Sequence, residues 1–343
     1  MEKWPELLQD ILRRIFATLE IPDLVRAGSV CSSWRAAFTS LCSTPCRLQQ
    51  TPCLLYTSKS AGAMAVGLYS LAEEKAYTLT LPDPPIRHRH IIGSSYGWII
   101  TADESSELHL VNPITSEQIA LPSITTIEQV KSIFDEEGDI CNYTYSWCTG
   151  ELMISDTPTT FDLSQLRDFL FYKAFLSSDP SMEDYFVVLI HNPRAQLSFA
   201  RAGDDRWTWL PSHNCYDDCL FRGGLLYACT TLGEIHEFDL VHPAVTRKIF
   251  LGKVEDMNCE RIYIVQAPCG ELLQIWRSNF PPQGYEYDGY DSDPNDPVYH
   301  TSFKVHKVEP TSKTLVEMSS LGGKFYFLGI TDHFASVLQN TRS

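Results

Sequence analysis

The chain has 343 residues, of which 44% are hydrophobic, 12% aromatic and 20% charged, with a formal net charge of −16 and a pI near 5.0. That is a globular composition with ample core material, long enough for two or three domains or one large all-β unit. The acidic balance, with no Lys/Arg cluster anywhere, argues against nucleic acid and anionic membrane as partners. No apolar run approaches the ~18 residues that would span a bilayer, and no signal peptide is read before residue 4. The eleven cysteines are scattered without a C-x-x-C pair. That usage fits reduced thiols in the cytoplasm or nucleus better than a secreted disulfide framework, so the Asn142-Tyr143-Thr144 sequon carries no weight.

The charge is unevenly placed. Residues 1–50 carry six basic and five acidic side chains, net +1, which leaves −17 for the remainder. The near-neutral head is patterned for helices. Pro5 suits a first helical turn, where its missing N–H is not needed. Leu7, Leu8, Ile11, Leu12, Ile15, Phe16 and Leu19 then recur in pairs four apart, giving one wide apolar face. Ile21-Pro22-Asp23 breaks this helix and starts a second through Leu24, Val25 and Ala27. Ser32 or Ser33 can cap a third carrying Trp34, Ala37, Phe38 and Leu41. Three short helices cannot hide that much apolar surface alone, because a unit of about 40 residues usually needs outside help. The pattern leaves two options open: the face docks on a partner, or the helices cap the core of the body.

Past residue 50 the helical period largely vanishes. Runs such as 97–101, 107–111, 185–190, 225–230 and 261–266 are rich in β-branched and aromatic residues and are bounded by Gly, Pro, Asn and Asp, which predicts short strands. An internal echo runs through them. Leu110-Val111-Asn112-Pro113 leading to Ile119-Ala120-Leu121 matches Leu240-Val241-His242-Pro243 leading to Ile249-Phe250-Leu251, 130 residues on. Tyr69-Ser70-Leu71 leading to Leu79-Thr80-Leu81 lies 40 residues before the first copy, and Val308-Glu309-Pro310 leading to Val316 is a fainter one. Gly97-Trp98 and Gly224-Leu225 are 127 apart. One offset of 40, and another near three times 43, is the spacing of propeller blades.

Chemistry-bearing clusters are sparse. His88-x-His90, flanked by Arg87 and Arg89, has two imidazoles on one strand face but no third metal ligand, and Pro84-Pro85 points to a solvated linker. His213-x-Cys215-x-x-x-Cys219 lacks a fourth ligand. Asp291-x-Asp293-x-Asn295, inside the acidic, Tyr-rich stretch 284–299, starts like a Ca²⁺ loop and then fails at Asp296 and Ser302. A solvated acidic loop, or a contact surface for a basic partner, is the expectation there. Trp207 and Trp209 share a strand face and predict core packing. No nucleophile elbow, phosphate loop or dinucleotide fingerprint occurs. The chain is therefore expected to be neither an enzyme nor a cofactor binder.

Two resemblances add to this. Trp4-Pro5-Glu6-Leu7-Leu8, Ile11-Leu12, Leu19, Asp23-Leu24, Val30-Cys31 and Trp34-Arg35 resemble the F-box motif, with Trp4 standing where Leu is commonest. The resemblance implies docking on a Skp-type adaptor and, through it, a cullin scaffold of a ubiquitin ligase. Pro5, Leu7, Leu8, Ile11 and Leu12 would face the adaptor. Leu24, Val25, Val30, Cys31 and Trp34 would divide between that contact and the helical core. The body, from about 50 to 330, is similar to the Kelch-like or KIB-type propeller domain of plant F-box proteins. The similarity rests on Leu110-Val111-Asn112-Pro113-Ile114-Thr115, Trp207-Thr208-Trp209-Leu210, Gly223-Gly224-Leu225-Leu226-Tyr227-Ala228, Gly270-Glu271-Leu272-Leu273 and Phe325-Tyr326-Phe327-Leu328-Gly329. That family pattern continues past the last of these for about 50 residues; losing that stretch would leave an open edge, so either closure differs here or this is a shortened or alternatively ended product. The combined expectation is an α+β multidomain chain: a three-helix F-box over 1–45, then an all-β propeller-like domain over 50–343. It would act as a substrate receptor of a ubiquitin ligase and hold an unidentified protein substrate. The alternative is a binding or sensing propeller whose helices only cap its core.

Overall fold

In a computed structural model, the described residues are 4–19, 21–28, 30–42, 53–57, 65–71, 73–149, 152–210, 214–242, 245–254, 257, 259–267, 269–280 and 300–319. The head is three helices, α1 (Trp4–Phe16), α2 (Ile21–Gly28) and α3 (Ser32–Cys42). They begin where Pro5, Pro22 and the Ser32-Ser33 pair predict, but α1 ends at Phe16, and Leu19, expected on its apolar face, lies in the turn that follows. The C-terminal end of α2 lies so close to α3 that a Cβ on Gly28 would come within 2.8 Å of the Phe38 ring.

The body is built of antiparallel sheets taken up one after another along the chain. Sheet A holds β1 (Cys53–Tyr56), β2 (Ala65–Ser70) and β3 (Lys75–Thr80). Sheet B holds β4 (His90–Ser95), β5 (Trp98–Ala102), β6 (Leu108–Val111) and β7 (Gln118–Ala120). Sheet C holds β8 (Val130–Phe134), β9 (Ile140–Tyr145) and β12 (Thr159–Asp162); the small hairpin β10 (Cys148–Thr149) and β11 (Leu152–Met153) projects between β9 and β12. After helix α4 (Leu163–Leu170), sheet D holds β13 (Phe171–Leu176), β14 (Phe186–His191), β15 (Gln196–Arg201) and β16 (Thr208–Trp209). Sheet E holds β17 (Tyr216–Arg222), β18 (Leu225–Thr230), β19 (Ile235–Asp239) and β20 (Thr246–Leu251). Sheet F holds β21 (Arg261–Gln266), β22 (Leu272–Phe280), β23 (His300–Glu309) and β24 (Thr314–Glu317).

Strand periodicity explains how these meanders stack as blades. Along β14, Val187 and Leu189 enter the core shared with sheet B, while Val188 and Ile190 enter the core shared with sheet E. Along β18, Leu226 and Ala228 face sheet D, and Tyr227 and Cys229 face sheet F. Successive side chains point to opposite faces, so a strand sandwiched between two blades must be apolar throughout. The echoes fall into register with this. Asn112 and His242 follow the third strands of sheets B and E, Glu309 ends the third strand of sheet F, and Tyr69-Ser70 ends the second of the three strands of sheet A. Gly97 and Gly224 sit in two-residue turns between the first two strands of sheets B and E. There Tyr96-Gly97 (φ 54° and 80°) and Gly223-Gly224 (φ 59° and 81°) have the paired positive φ of a type I′ turn.

One expectation needs correction. The interval of 130 does span three sheets, but sheet C is not a blade between B and D. The first strands of those sheets are direct neighbours: a Cβ on Gly93 of β4 would lie 2.2 Å from the carbonyl oxygen of Ala174 in β13. Sheet C is instead laid across their turns. Tyr143 Oη donates to the Ser105 carbonyl at 2.9 Å, and Gln196 Nε2 donates to Gln129 Oε1 at 3.2 Å. Leu166 and Leu170 of α4 close the same core. The incoming segment is pinned to sheet D by Trp207, whose indole N–H donates to the Pro122 carbonyl at 2.9 Å. That inter-sheet packing is the role expected of Trp207.

The 87–90 segment is likewise no solvated linker. His88 lies in a short 3₁₀ turn, and His90, which opens β4, is buried. Arg89 is buried too. Its guanidinium donates to the carbonyls of Pro82, Asp83 and Pro84 and to the side chains of Thr101 and Gln118. Nε, Nη1 and Nη2 all find neutral acceptors, so the guanidinium is buried here on hydrogen bonds, with Asp83 and Asp103 acting on it electrostatically. Sheets D, E and F are joined by a second polar anchor. Lys173 Nζ donates to the Asp217 carbonyl and to Asp218 Oδ1, at 2.8 and 3.0 Å. The carboxylates of Asp217 and Asp218 accept the backbone N–H groups of Ile262 and Ile264 at 3.1 and 3.0 Å. Burial pushes the Asp217 carboxyl up, against the pull of Ile262 N–H, Arg261 and Lys173.

Two buried imidazoles serve as neutral pins. His191 Nδ1 lies 2.6 Å from the Asn192 carbonyl and must donate to it, so Nε2 accepts from Ser198 Oγ at 2.8 Å. His236 Nδ1 accepts the Tyr216 hydroxyl at 2.8 Å. Burial pushes both down to about 4. The unfolded chain takes up protons that the folded chain refuses, so stability is full above the ordinary imidazole value of 6.5 and is lost as pH falls toward 4. For His191 the loss is roughly 3 kcal/mol. Urea unfolding of the wild type is expected to show this decline, and His191→Gln a shallower one. At the B–D contact, Gly93→Ala is expected to lower stability by about 1–3 kcal/mol, read from the same midpoints at neutral pH.

Candidate docking surface of the helical head

The head holds a core of its own. Leu12 and Phe16 of α1, Leu24 and Ala27 of α2, and Ala37 and Leu41 of α3 are buried together, with Leu19, Trp34 and Phe38 packed at their margin. The Phe16 and Trp34 rings meet edge-to-face with centroids 5.3 Å apart. Gln9 Nε2 donates to the carbonyl and hydroxyl of Ser33 at 2.9 and 2.8 Å, tying α1 to the start of α3. None of the body's described residues enters this core.

The apolar stripe of α1 is wider than that core can use. Leu12 and Phe16 point inward, while Ile11 and Ile15, one residue earlier in each turn, are 47% and 51% exposed. On the next connection Val30 is 64% exposed, and Cys31 is exposed beside it. Of the residues expected to face an adaptor, Ile11 lies on the open surface. Leu12 lies in the head's own core, because helical spacing pairs it with Phe16 rather than with Ile11. Among the residues expected to divide between core and contact, Leu24 is buried, Trp34 is half-buried, and Val30 and Cys31 are open. Pro5, Leu7, Leu8 and Val25 lie on α1 and α2, with side chains outside the described residues. Ile15 had not been assigned a docking role; its i+4 spacing from Ile11 was the available signal.

The head touches the body through α2. The Arg26 guanidinium, ion-paired with Asp23 at 3.0 Å, lies 4.8 Å from the centroid of the Tyr77 ring on β3. Tyr77 donates its hydroxyl to the Glu73 carboxylate. An exposed cation–π contact of this kind contributes about 0.5–1 kcal/mol.

Elsewhere the described residues hold no group of three or more His, Cys, Asp or Glu that could bind a metal. Cys215 is half-buried and Cys219 is buried, while His213 lies outside the described residues, as do the acidic stretch 284–299 and the strand expected at 325–329. Replacing Phe16 with Ala removes the centre of the head's core, a change that costs about 3–5 kcal/mol in a packed site. Phe16→Ala is expected to remove most of the helical part of the far-UV circular dichroism, leaving that of α4 and the β signal, whereas Ile11→Ala leaves both unchanged.

Comparison with known proteins places both parts of the chain. Residues 4–45 match the F-box domain model, and residues 68–341 match the KIB1-4 beta-propeller model. The Arabidopsis thaliana protein At5g55150 is 22% identical over 99% of this chain and 82% of its own length. F-box only protein 7 and F-box protein KIB4, both of Arabidopsis thaliana, are 27% and 26% identical over 69% of this chain. The matched region spans 58% and 59% of those two proteins. The second model covers most of the chain, so this is an F-box protein of the KIB1-4 β-propeller family.

Proposed function

We propose that this chain is the substrate-recognition subunit of a Skp–cullin–F-box ubiquitin ligase. The observation that carries the reading is the surplus apolar surface of the head. Ile11, Ile15 and Val30 stand open beside a core that is already filled by Leu12, Phe16, Leu24, Ala27, Ala37 and Leu41. A helix bearing open apolar anchors four apart is built to lie against a partner's groove. The alternative reading, helices that cap the propeller's core, would merge the two cores. Their separation speaks against it.

In this reading residues 1–45 dock on the adaptor, with a cullin beyond it, and residues 50–343 hold a protein substrate. The chain's contribution to catalysis is proximity. Holding substrate lysines near a ubiquitin-charged enzyme raises their effective concentration, and no catalytic side chain is needed on the receptor. A reducing compartment, the cytoplasm or nucleus, suits the described cysteines, all of which are free thiols.

The structure sharpens the choice of test. Leu12→Ala would damage the head's core and confound loss of docking with loss of fold. Ile11→Ala combined with Ile15→Ala touches only the open stripe. In a pull-down with a Skp-type adaptor, this double variant is expected to bind at least about tenfold more weakly than wild type, with unchanged circular dichroism. Adaptor binding equal to wild type would reject the docking role of α1.

A further inference from the structure

Sheet C differs from the blades it covers. Sheets B, D, E and F have four strands each; sheet C has three, in the order β12-β9-β8, so β8 is an edge. At its other edge, β12 runs directly into α4, whose Leu166 and Leu170 are buried. Nothing among the described residues pairs with the outer edge of β8.

The hydrogen-bond pattern shows which backbone groups that edge presents. Ser146 N–H donates to the Gln129 carbonyl at 2.8 Å, which makes 129 and 146 a hydrogen-bonded pair. Such pairs alternate along an antiparallel ladder. In the observed register, Lys131 with Thr144 and Ile133 with Asn142 continue the series; a bulge then sets Phe134 against Ile140, and Asp135 N–H donates to the Asp139 carbonyl at 2.9 Å, so residues 130, 132 and 134 turn their N–H and C=O groups away from β9. Val130 N–H fits this: it donates to the Ile127 carbonyl at 2.9 Å, off the ladder. Ser132 and Phe134 have no such partner among the described residues, and the Phe134 side chain is 61% exposed.

The charge around this edge has one sign. Glu128 precedes β8, and Asp135, Glu136, Glu137 and Asp139 follow it, all exposed, with Lys131 the one basic side chain between positions 128 and 139. A second copy of the chain, pairing edge to edge, would bring two such segments together. Like charges in register oppose that pairing. A basic strand meets the opposite sign at both ends of β8.

We propose that β8 is a docking strand for an extended, basic segment of a partner protein, which joins sheet C as its fourth strand. The main-chain groups of Ser132 and Phe134 supply the pairing, the exposed Phe134 ring supplies an apolar contact, and the flanking carboxylates select Lys or Arg. The inference rests on the substrate-receptor reading, within which it names the substrate class.

The test uses the full chain bound to its adaptor. The probe is a fluorescent synthetic peptide alternating Lys or Arg with Val or Thr, followed by anisotropy. Three controls accompany it: an acidic twin, the same peptide interrupted by prolines, and a salt titration. Saturable binding of the basic peptide is expected, at least about tenfold tighter than either control peptide and weakened by salt. Ser132→Pro removes an outward N–H and is expected to cost about tenfold in affinity, whereas Ser132→Thr retains binding. Glu136→Lys with Glu137→Lys is expected to lose the basic peptide and gain the acidic twin; this pair decides the matter if Ser132→Pro fails to fold. Equal binding of the proline-interrupted peptide, full retention in both variants, or a dimer abolished by Ser132→Pro would overturn the proposal. Adaptor capture is measured on the same samples. Peptide binding that survives without adaptor capture upholds the docking strand and overturns the receptor reading instead.

Discussion

The body is organised by the place where two backbones nearly collide. At Gly93 the first strand of sheet B runs against the carbonyl of Ala174 in the first strand of sheet D, leaving no room for a side chain. With B and D in contact there, the chain between them cannot form a blade beside them. It must leave the ring, bury its apolar residues against what is already built, and return. Residues 121–170 do this by crossing the turns of both sheets. Trp207, Tyr143 and Gln129 fix the crossing, and α4 closes it. Alternating side chains then set the rest: the second strands of sheets D and E each feed one core with every other position and the next core with the positions between.

Much of this was legible from pattern. The helix starts in the head followed from prolines, a Ser cap and paired apolar residues. The strands at 225–230 and 261–266 coincide with the runs that predicted them, and the Asn-Pro and His-Pro echoes marked the same hairpin in different sheets. Two classes of fact stayed hidden. The first is topological. The crossing segment is about as long as a blade, so a repeat offset counted it as one, although Leu163, Leu166 and Leu170 carry helical spacing. The second is the identity of polar partners. Arg89 looks solvated in sequence because three of its acceptors are main-chain carbonyls, which every residue has, and the others, Thr101 and Gln118, lie on β5 and β7. Asp217 and Asp218 find their main-chain donors 45 and 46 residues away. In the head the limit was angular. Ile11 and Leu12 belong to one wide apolar stripe, and only packing against α3 separates the open residue from the buried one.

Charge and packing divide the molecule in the same place. The helical head is nearly neutral and filled by its own side chains, while the acidic excess lies in the body. A neutral head with open isoleucines suits a docking surface that must desolvate. An acidic body keeps the sheets soluble and gives basic segments a longer reach toward them. In the receptor reading the two parts would carry different kinds of recognition, one apolar and close, the other electrostatic and steered.

Among the described residues the contact of Arg26 with Tyr77 is slight, and the two cores share no side chain. The head and body can thus fail separately. A lesion that melts the helices leaves the ring able to hold whatever it holds, now disconnected from any adaptor. In the receptor reading, and in a cell that also makes the intact protein, such a chain would act as a decoy, sequestering what the intact protein delivers. On that reading, damage to the smaller part takes on a dominant character.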